Sequence, residues 1–172
     1  MATLGFKKAA IGILDNDEKT VTVYEFNAAE GGTINAKITG LGSTLSTIYA
    51  SNQPFFVSGQ GVSSPKLDLE IADIPEEVLN AILGVNVGVD GIATITSSTK
   101  APYVAVMLET QGKDGDSIYI GMAKGKMSYP DLELKTGEDK GLELTTDSIS
   151  GDFISREDEI VYMKGRTGTE AF

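Results

Sequence analysis

Leu67, Leu69 and Ile71 alternate with Lys66, Asp68 and Glu70, the period-2 pattern of a strand with one buried face. The period then changes. Ile74, Val78, Ala81 and Ile82 recur at helical spacing, with Leu79 and Leu83 beside them, so a helix is expected over about residues 74–83. Asp73 is placed to cap it, with Glu76 as capping-box partner. Pro75 falls in the first turn, where a missing N–H costs nothing, and Gly84 supplies the left-handed stop. A helix of about ten residues is marginal in water on its own. The stretch therefore predicts a sheet with one helix docked on it.

Other segments carry the strand pattern too. Residues 9–14 are an apolar run ending in turn chemistry at Asp15, Asn16, Asp17 and Glu18. Residues 20–26 alternate, with Val21 and Val23 on one face and Thr22 and Tyr24 on the other. Residues 33–39 read as a short strand with Ile34, Ala36 and Ile38 inward. Residues 103–110 are nearly all apolar, the pattern of a central strand covered on both faces. A hairpin turn at residues 112–116 leads to a partner strand over 118–127, where Gly121 and Gly125 mark a bend or bulge. Leu132 and Leu134, then Leu142 and Leu144, alternate on either side of a polar turn, and strand character continues over 145–154. Residues 156–159 form a turn and 160–163 a last short strand. Residues 165–172 read as a flexible tail. No internal repeat is visible. The sum is one domain over residues 1–172, mainly β, with eight or nine strands and one short helix.

Residues 40–65 do not fit this scheme. They are rich in Gly, Ser and Thr, lack a long periodic run, and bring Tyr49, Phe55 and Phe56 close together. A structureless segment of that length is uncommon inside a compact domain unless it has a task, and aromatics left in solvent make a sticky patch. Two readings stand: residues 54–57 are a small strand tucked on the subunit's own core, or the loop docks on a neighbouring copy. Residues 85–101 are a Gly/Val/Thr/Ser connection with weak alternation.

Composition narrows the function. Twenty-five acidic residues against 14 basic ones leave a net charge of -11, which argues against a nucleic-acid binder that must displace counterions with a basic face. There is no cysteine and no histidine, which removes disulfides, thiolate chemistry, the commonest general base and the commonest metal ligand. No apolar run approaches the length of a membrane helix. The N-terminus lacks a signal-peptide layout, so synthesis in the cytosol without export is expected.

Candidate chemistry is thin. Ser97, Ser98, Thr99 and Lys100 match S-x-x-K, but Ala101-Pro102 follows where a helix must open. Asp15, Asn16 and Asp17 hint at a calcium loop, yet Lys19 and Phe26 occupy positions where oxygen ligands belong. Asp114 and Asp116 sit on a hairpin tip. Gly59 and Gly61 begin a glycine-rich pattern that Ser64 breaks. Asp68 and Glu70 share a strand face, as a glycosidase pair would, and read equally as a solvated surface. Lys124 and Lys126 also share a face but are too few for a nucleic-acid patch. No catalytic residue, metal ligand or cofactor site is expected. An open sandwich leaves unpaired strand edges, and pairing them with identical copies would close the sheet.

Several blocks taken together carry a resemblance. They are Gly5-Phe6-Lys7-Lys8-Ala9-Ala10-Ile11-Gly12-Ile13-Leu14, then Thr47-Ile48-Tyr49-Ala50-Ser51-Asn52-Gln53-Pro54-Phe55-Phe56-Val57-Ser58, then the strand–helix block over 66–84. A later stretch begins Ala101-Pro102-Tyr103-Val104-Ala105, passes through Asp116-Ser117-Ile118-Tyr119-Ile120-Gly121 and ends near Asp147. In these blocks the chain resembles the major tail tube proteins of long-tailed, siphovirus-type bacteriophages over nearly its whole length. Residues 85–100 are the least similar, so 85–101 is read as a variable connection.

The resemblance implies a β-sandwich or barrel with one flanking helix and no enzymatic activity. Six copies would form a ring, rings would stack into a tube, and one sheet per subunit would join its neighbours around a lumen that passes DNA without binding it specifically. Tape-measure, terminator and distal tail proteins would be the partners, the virion tail the location and the host bacterial cytoplasm the site of synthesis. On that reading the polar faces of strands 33–39, 66–71, 117–127 and 142–154 line the lumen. Asp68, Glu70 and Glu143 are the first candidates, and the walls are expected to be negative. The 40–65 loop, with Tyr49, Phe55 and Phe56, is assigned to contacts between subunits or rings. The same features leave open the tube of a phage-tail-like bacteriocin, a small extracellular β-sandwich binding module or a β-rich hydrolase.

Overall fold

The computed structural model describes residues 3–59, 61–130 and 146–167. They form twelve strands and one helix: β1 (Thr3–Leu14), β2 (Thr20–Phe26), β3 (Thr33–Thr39), β4 (Ser46–Ala50), β5 (Gln53–Ser58), β6 (Lys66–Ile71), α1 (Glu76–Leu83), β7 (Asn86–Val87), β8 (Ala93–Thr94), β9 (Val104–Gly112), β10 (Ser117–Ser128), β11 (Asp147–Ile154) and β12 (Tyr162–Arg166). The expected mainly-β chain with one short helix is therefore present. The strands not foreseen are β4, β7 and β8; β5 covers residues 54–57, which one of the two readings of the 40–65 segment took as a strand.

Eight strands make one antiparallel sheet in the order β2-β1-β9-β10-β11-β6-β3, with β12 also on β10. The twelve-residue β10 divides this sheet into two layers. Residues 118–122 pair with β9 and β12, residues 124–128 pair with β11, and the register to β9 breaks between Met122 and Gly125. That break is the bend expected from the two glycines. A Cβ on Gly125 would lie 2.6 Å from both the Asp152 carbonyl oxygen and the Phe153 ring, so only glycine lets the strands cross this closely. The first layer is thus β2-β1-β9, the start of β10 and then β12, and the second is β3-β6-β11 with the end of β10. The second layer folds back toward the first, where the Thr33 hydroxyl donates to the Phe6 carbonyl at 3.0 Å.

One core fills the space between the layers. Ala9, Ile11, Phe26, Val104, Val106 and Leu108 come from the first, and Leu67, Leu69, Ile71, Ile149 and Phe153 from the second. Ile74, Ile82 and Leu83 bring α1 onto the same cluster. Leu67, Leu69 and Ile71 are the inward set read from the alternation, each almost fully buried. Leu69→Ala is expected to cost about 2–5 kcal/mol, read as a lower urea midpoint at unchanged slope.

The helix ends as expected and begins differently. Gly84 has φ 67°, and its N–H donates to the Ala81 carbonyl. A Cβ there would meet the Lys100 carbonyl oxygen at 2.3 Å. At the other end no side chain caps α1. Asp73 does not serve, because its backbone still follows the sheet: its N–H donates to the Gly31 carbonyl at 3.0 Å. Pro75 takes the cap position instead, its carbonyl accepting from Val78 and Leu79. The helix therefore starts at Glu76 rather than residue 74.

Several faces also differ from the pattern. In β2, Phe26 and Tyr24 point to the core, while Val21 and Val23 are exposed. In β3, Ala36 and Ile38 pack inward, but a register irregularity between Thr33 and Asn35 leaves Ile34 outside. In β9, Val104, Val106 and Leu108 are buried while Met107 is exposed, so the described residues cover only one face of a strand expected to be covered on both. The last strand lies at Tyr162–Arg166, later than residues 160–163, because Val161 is still occupied accepting the Ala123 N–H at 2.9 Å. Gly165 and Arg166 thus belong to a strand and not to a tail. The strands expected near Leu132 and Leu142, and residues 168–172, lie outside the described residues.

Candidate functional site

Alternation in the second layer sends one residue of each pair inward and the other to a common outer face. Cross-strand registers arrange that face in rows. Lys37, Asp68, Ser150 and Ser128 form one, Thr39, Lys66, Asp152 and Lys126 a second, and Asn35, Glu70 and Ser148 a third. Asp68 and Glu70, expected at a lumen wall, therefore sit beside each other on a polar surface with strands 33–39 and 147–154. The 117–127 strand contributes only its second half, because β10 changes layer. Glu143 lies outside the described residues.

The described charges on this face are mixed. Among the described residues in these rows, Asp68, Glu70 and Asp152 are matched by Lys37, Lys66 and Lys126. Lys66 and Asp152 form an ion pair at 3.4 Å, and the Thr146 hydroxyl donates to Glu70 Oε1 at 2.9 Å.

The segment with Tyr49, Phe55 and Phe56 is a hairpin. Ala50 pairs with Gln53 across a two-residue turn in which Ser51 and Asn52 have φ 54° and 61°, the left-handed pair that closes a tight hairpin. β4 and β5 pair only with each other. All eleven of their residues are exposed, including Phe55 at 79%, Tyr49 at 67% and Phe56 at 57%. Residues 54–57 are thus a strand, but one that is not tucked on the subunit's core. A two-stranded hairpin has no core of its own, so this arm presents apolar side chains that no described residue of the subunit covers. Residues 38–65 also contain no charged side chain, a signal of the arm that alternation does not reveal. A second, shorter hairpin, β7–β8, exposes Val89, Ile92 and Ile95.

On the outside of the first layer, the β1–β2 turn is held by an ionic cluster. Glu18, at φ 58°, accepts from the Lys124 ammonium and from the Glu157 N–H at 3.0 Å, and Arg156 approaches it at 4.0 Å. Where β10 passes from one layer to the other, Lys124 and Lys126 both stand over the Tyr103 ring, at 4.7 and 4.6 Å. The Glu157 N–H, then Lys124, hold the Glu18 carboxyl below its usual range, and Glu18 in turn raises Lys124. A lowered carboxyl stabilises the fold above the ordinary carboxylate range and loses that contribution as pH falls through the lowered value. Glu18→Gln is therefore expected to lower the melting temperature at neutral pH and to shrink the gap from wild type in acid, measured by thermal melts across pH.

The remaining motifs take structural roles. Asp15 Oδ1 accepts the N–H groups of Asp17 and Lys19, closing a turn. Thr96, Ser98 and Thr99 bond among themselves, so Ser98 lies in a polar turn and the S-x-x-K serine opens no helix. Among the described residues no group of three or more acidic side chains could hold a metal ion, and no helix is long and apolar enough to cross a membrane.

Among curated proteins, none matches the sequence. Among solved structures, the chain is similar to one in the cryo-EM structure of PVC, an extracellular contractile injection system, in the extended state of its sheath–tube complex. That similarity has a TM-score of 0.42 and 11% identity, over 91% of this chain and 87% of the other. The model of the phage tail tube protein family matches residues 1–148, and the chain belongs to that family.

Proposed function

We propose that six copies of this structural tail protein close into a ring, that rings stack into a tube, and that the polar face of β3, β6, β11 and the end of β10 lines the lumen. The observation that carries this reading is the pairing of two surfaces a lone subunit leaves unused: a four-stranded sheet with a polar outer face and free edge β3, and an apolar arm with no core beneath it. Sheet edges invite pairing with another chain. Joined edge to edge between copies, the second layer would continue as a barrel around the axis. The arm, with Tyr49, Phe55 and Phe56, bridges to a neighbouring copy. Such contacts are heterologous, closing sideways into rings and repeating without closure along the axis.

A charge-balanced lumen suits passage of DNA. Each lysine of the face lies beside or near a carboxylate, so no cationic stripe holds phosphate. Six copies carry 6 × -11 = -66 formal charges per ring, which repel phosphate at close range and are screened beyond about 10 Å at ordinary salt. The tube is then a passive conduit without enzymatic activity, ended by terminator and distal tail proteins and threaded by a tape-measure protein. It is assembled in the host bacterial cytoplasm for the virion tail. Negative-stain microscopy of the concentrated protein tests this: rings or tubes are expected, and a monodisperse monomer at every concentration would overturn it.

A further inference from the structure

The outer face of the first layer carries a groove of about 380 Å³. Its floor is Ala10 and Gly12 of β1, Ala105 of β9 and Gly121 of β10, and Met107 and Met163 form its walls. These residues meet because the outward positions of four strands fall in register: Gly12 pairs with Ala105, Ala10 with Met107, and Gly121 with both Met107 and Met163. The result is an apolar trough on a surface that sheet alternation normally leaves polar. Met107 and Met163 are 39% and 43% exposed.

We propose that this groove receives the β4–β5 arm of a second copy. The proposal rests on the tube reading above and names the surface that the arm occupies.

Size is the first argument. A floor of glycine and alanine gives room to large side chains, and the arm offers Ile48, Tyr49, Phe55 and Phe56. Methionine walls adapt to an irregular aromatic surface and make favourable sulfur–ring contacts. Charge is the second. The two charged residues that line the groove, Glu18 and Arg156, are already matched within the subunit, Glu18 with Lys124 and Arg156 with Asp158. An incoming charge would find no partner and would pay desolvation, and residues 38–65 bring none. The other exposed hairpin carries Asp90 between β7 and β8, so it fits less well. Placement is the third. The arm leaves from β3, the far edge of the second layer, whereas the groove opens on the outside of the first. No residue of β4 or β5 lines the groove of its own subunit, so a neighbour's arm is the one to fill it. The nearly continuous apolar run of β9 then has its second cover, supplied by assembly.

Gly121→Leu tests this. A Cβ at Gly121 meets only ordinary contacts, Met163 Cε at 3.5 Å, and its φ lies outside the left-handed region, so the side chain fills the groove and not the core. The expected result is an unchanged melting temperature with assembled mass reduced about tenfold or more, as for filling a pocket that receives an interface anchor. Tubes at wild-type yield would overturn the proposal. The absence of cysteine allows a second measurement. Tubes of a Thr47→Cys/Met107→Cys variant, which keeps the aromatic anchors of the arm, should give an inter-subunit covalent ladder on mild oxidation, and a Thr47→Cys/Asp68→Cys variant should not. Tubes that cross-link through Asp68 and not Met107 would overturn the groove and leave the tube standing. Wild-type protein that never assembles would overturn the tube reading and the groove together.

Discussion

Replacing Phe55 and Phe56 together by alanine is expected to abolish tube growth while leaving the subunit folded. Both rings stand in solvent on a hairpin that pairs only with itself, so their removal opens no cavity in the core between the layers. A core aromatic changed to alanine costs about 3–5 kcal/mol; here the monomer's urea midpoint should stay within error of wild type. Assembly should respond in the opposite way. Aromatic anchors dominate interfaces, with losses of about 2 kcal/mol or more per hot-spot residue, and each ring repeats the loss in every subunit. Sedimentation should show only the slow species at concentrations where wild type forms tubes. Normal tubes from the double variant would remove the arm from the assembly.

The second large effect concerns the polar face. Asp68→Lys with Glu70→Lys changes that face by four charges per subunit, since each substitution moves the charge by two, and by 24 per six-subunit ring. The rows then read as cationic, because Lys37, Lys66 and Lys126 lose the acids that offset them. Tubes should still form, as both side chains point away from the core and neither lies on the arm. Their lumen should now hold DNA, with retention that falls steeply as salt is raised, the signature of counterion release. Wild-type tubes should retain little at any salt. Equal retention by the two would place Asp68 and Glu70 away from the DNA path.

What the sequence disclosed follows from how directly each feature is written in local pattern. β6 was legible because Leu67, Leu69 and Ile71 are buried by a strict period of two, and the helix because its apolar face and Gly84 agree. The start of the helix was not, since whether Asp73 caps or continues the sheet depends on Gly31, which lies about forty residues away. The outward turn of Val21 and Val23 was equally hidden, because alternation assigns faces but not which face meets the core. The arm escaped because its turn uses Ser51 and Asn52 in place of glycine, and because both its faces carry apolar residues, which hides the period. Asp68 and Glu70 were placed on one strand face by spacing alone. That Lys37, Lys66, Lys126 and Asp152 join them needed the register between four strands and the change of layer within β10. The net charge of the chain pointed to a negative wall; among the described residues, the registers bring equal numbers of the two signs together on the face that carries Asp68 and Glu70.

The most direct measurement is a helical reconstruction of the assembled tube by cryo-EM. Asp68, Ser150 and Lys126 should be nearest the axis, β3 of one copy should adjoin the end of β10 in the next, and the arm should lie on another subunit. A map with Asp68 on the outer wall, or with the Met107 face toward the axis, would refute the assignment of the lumen.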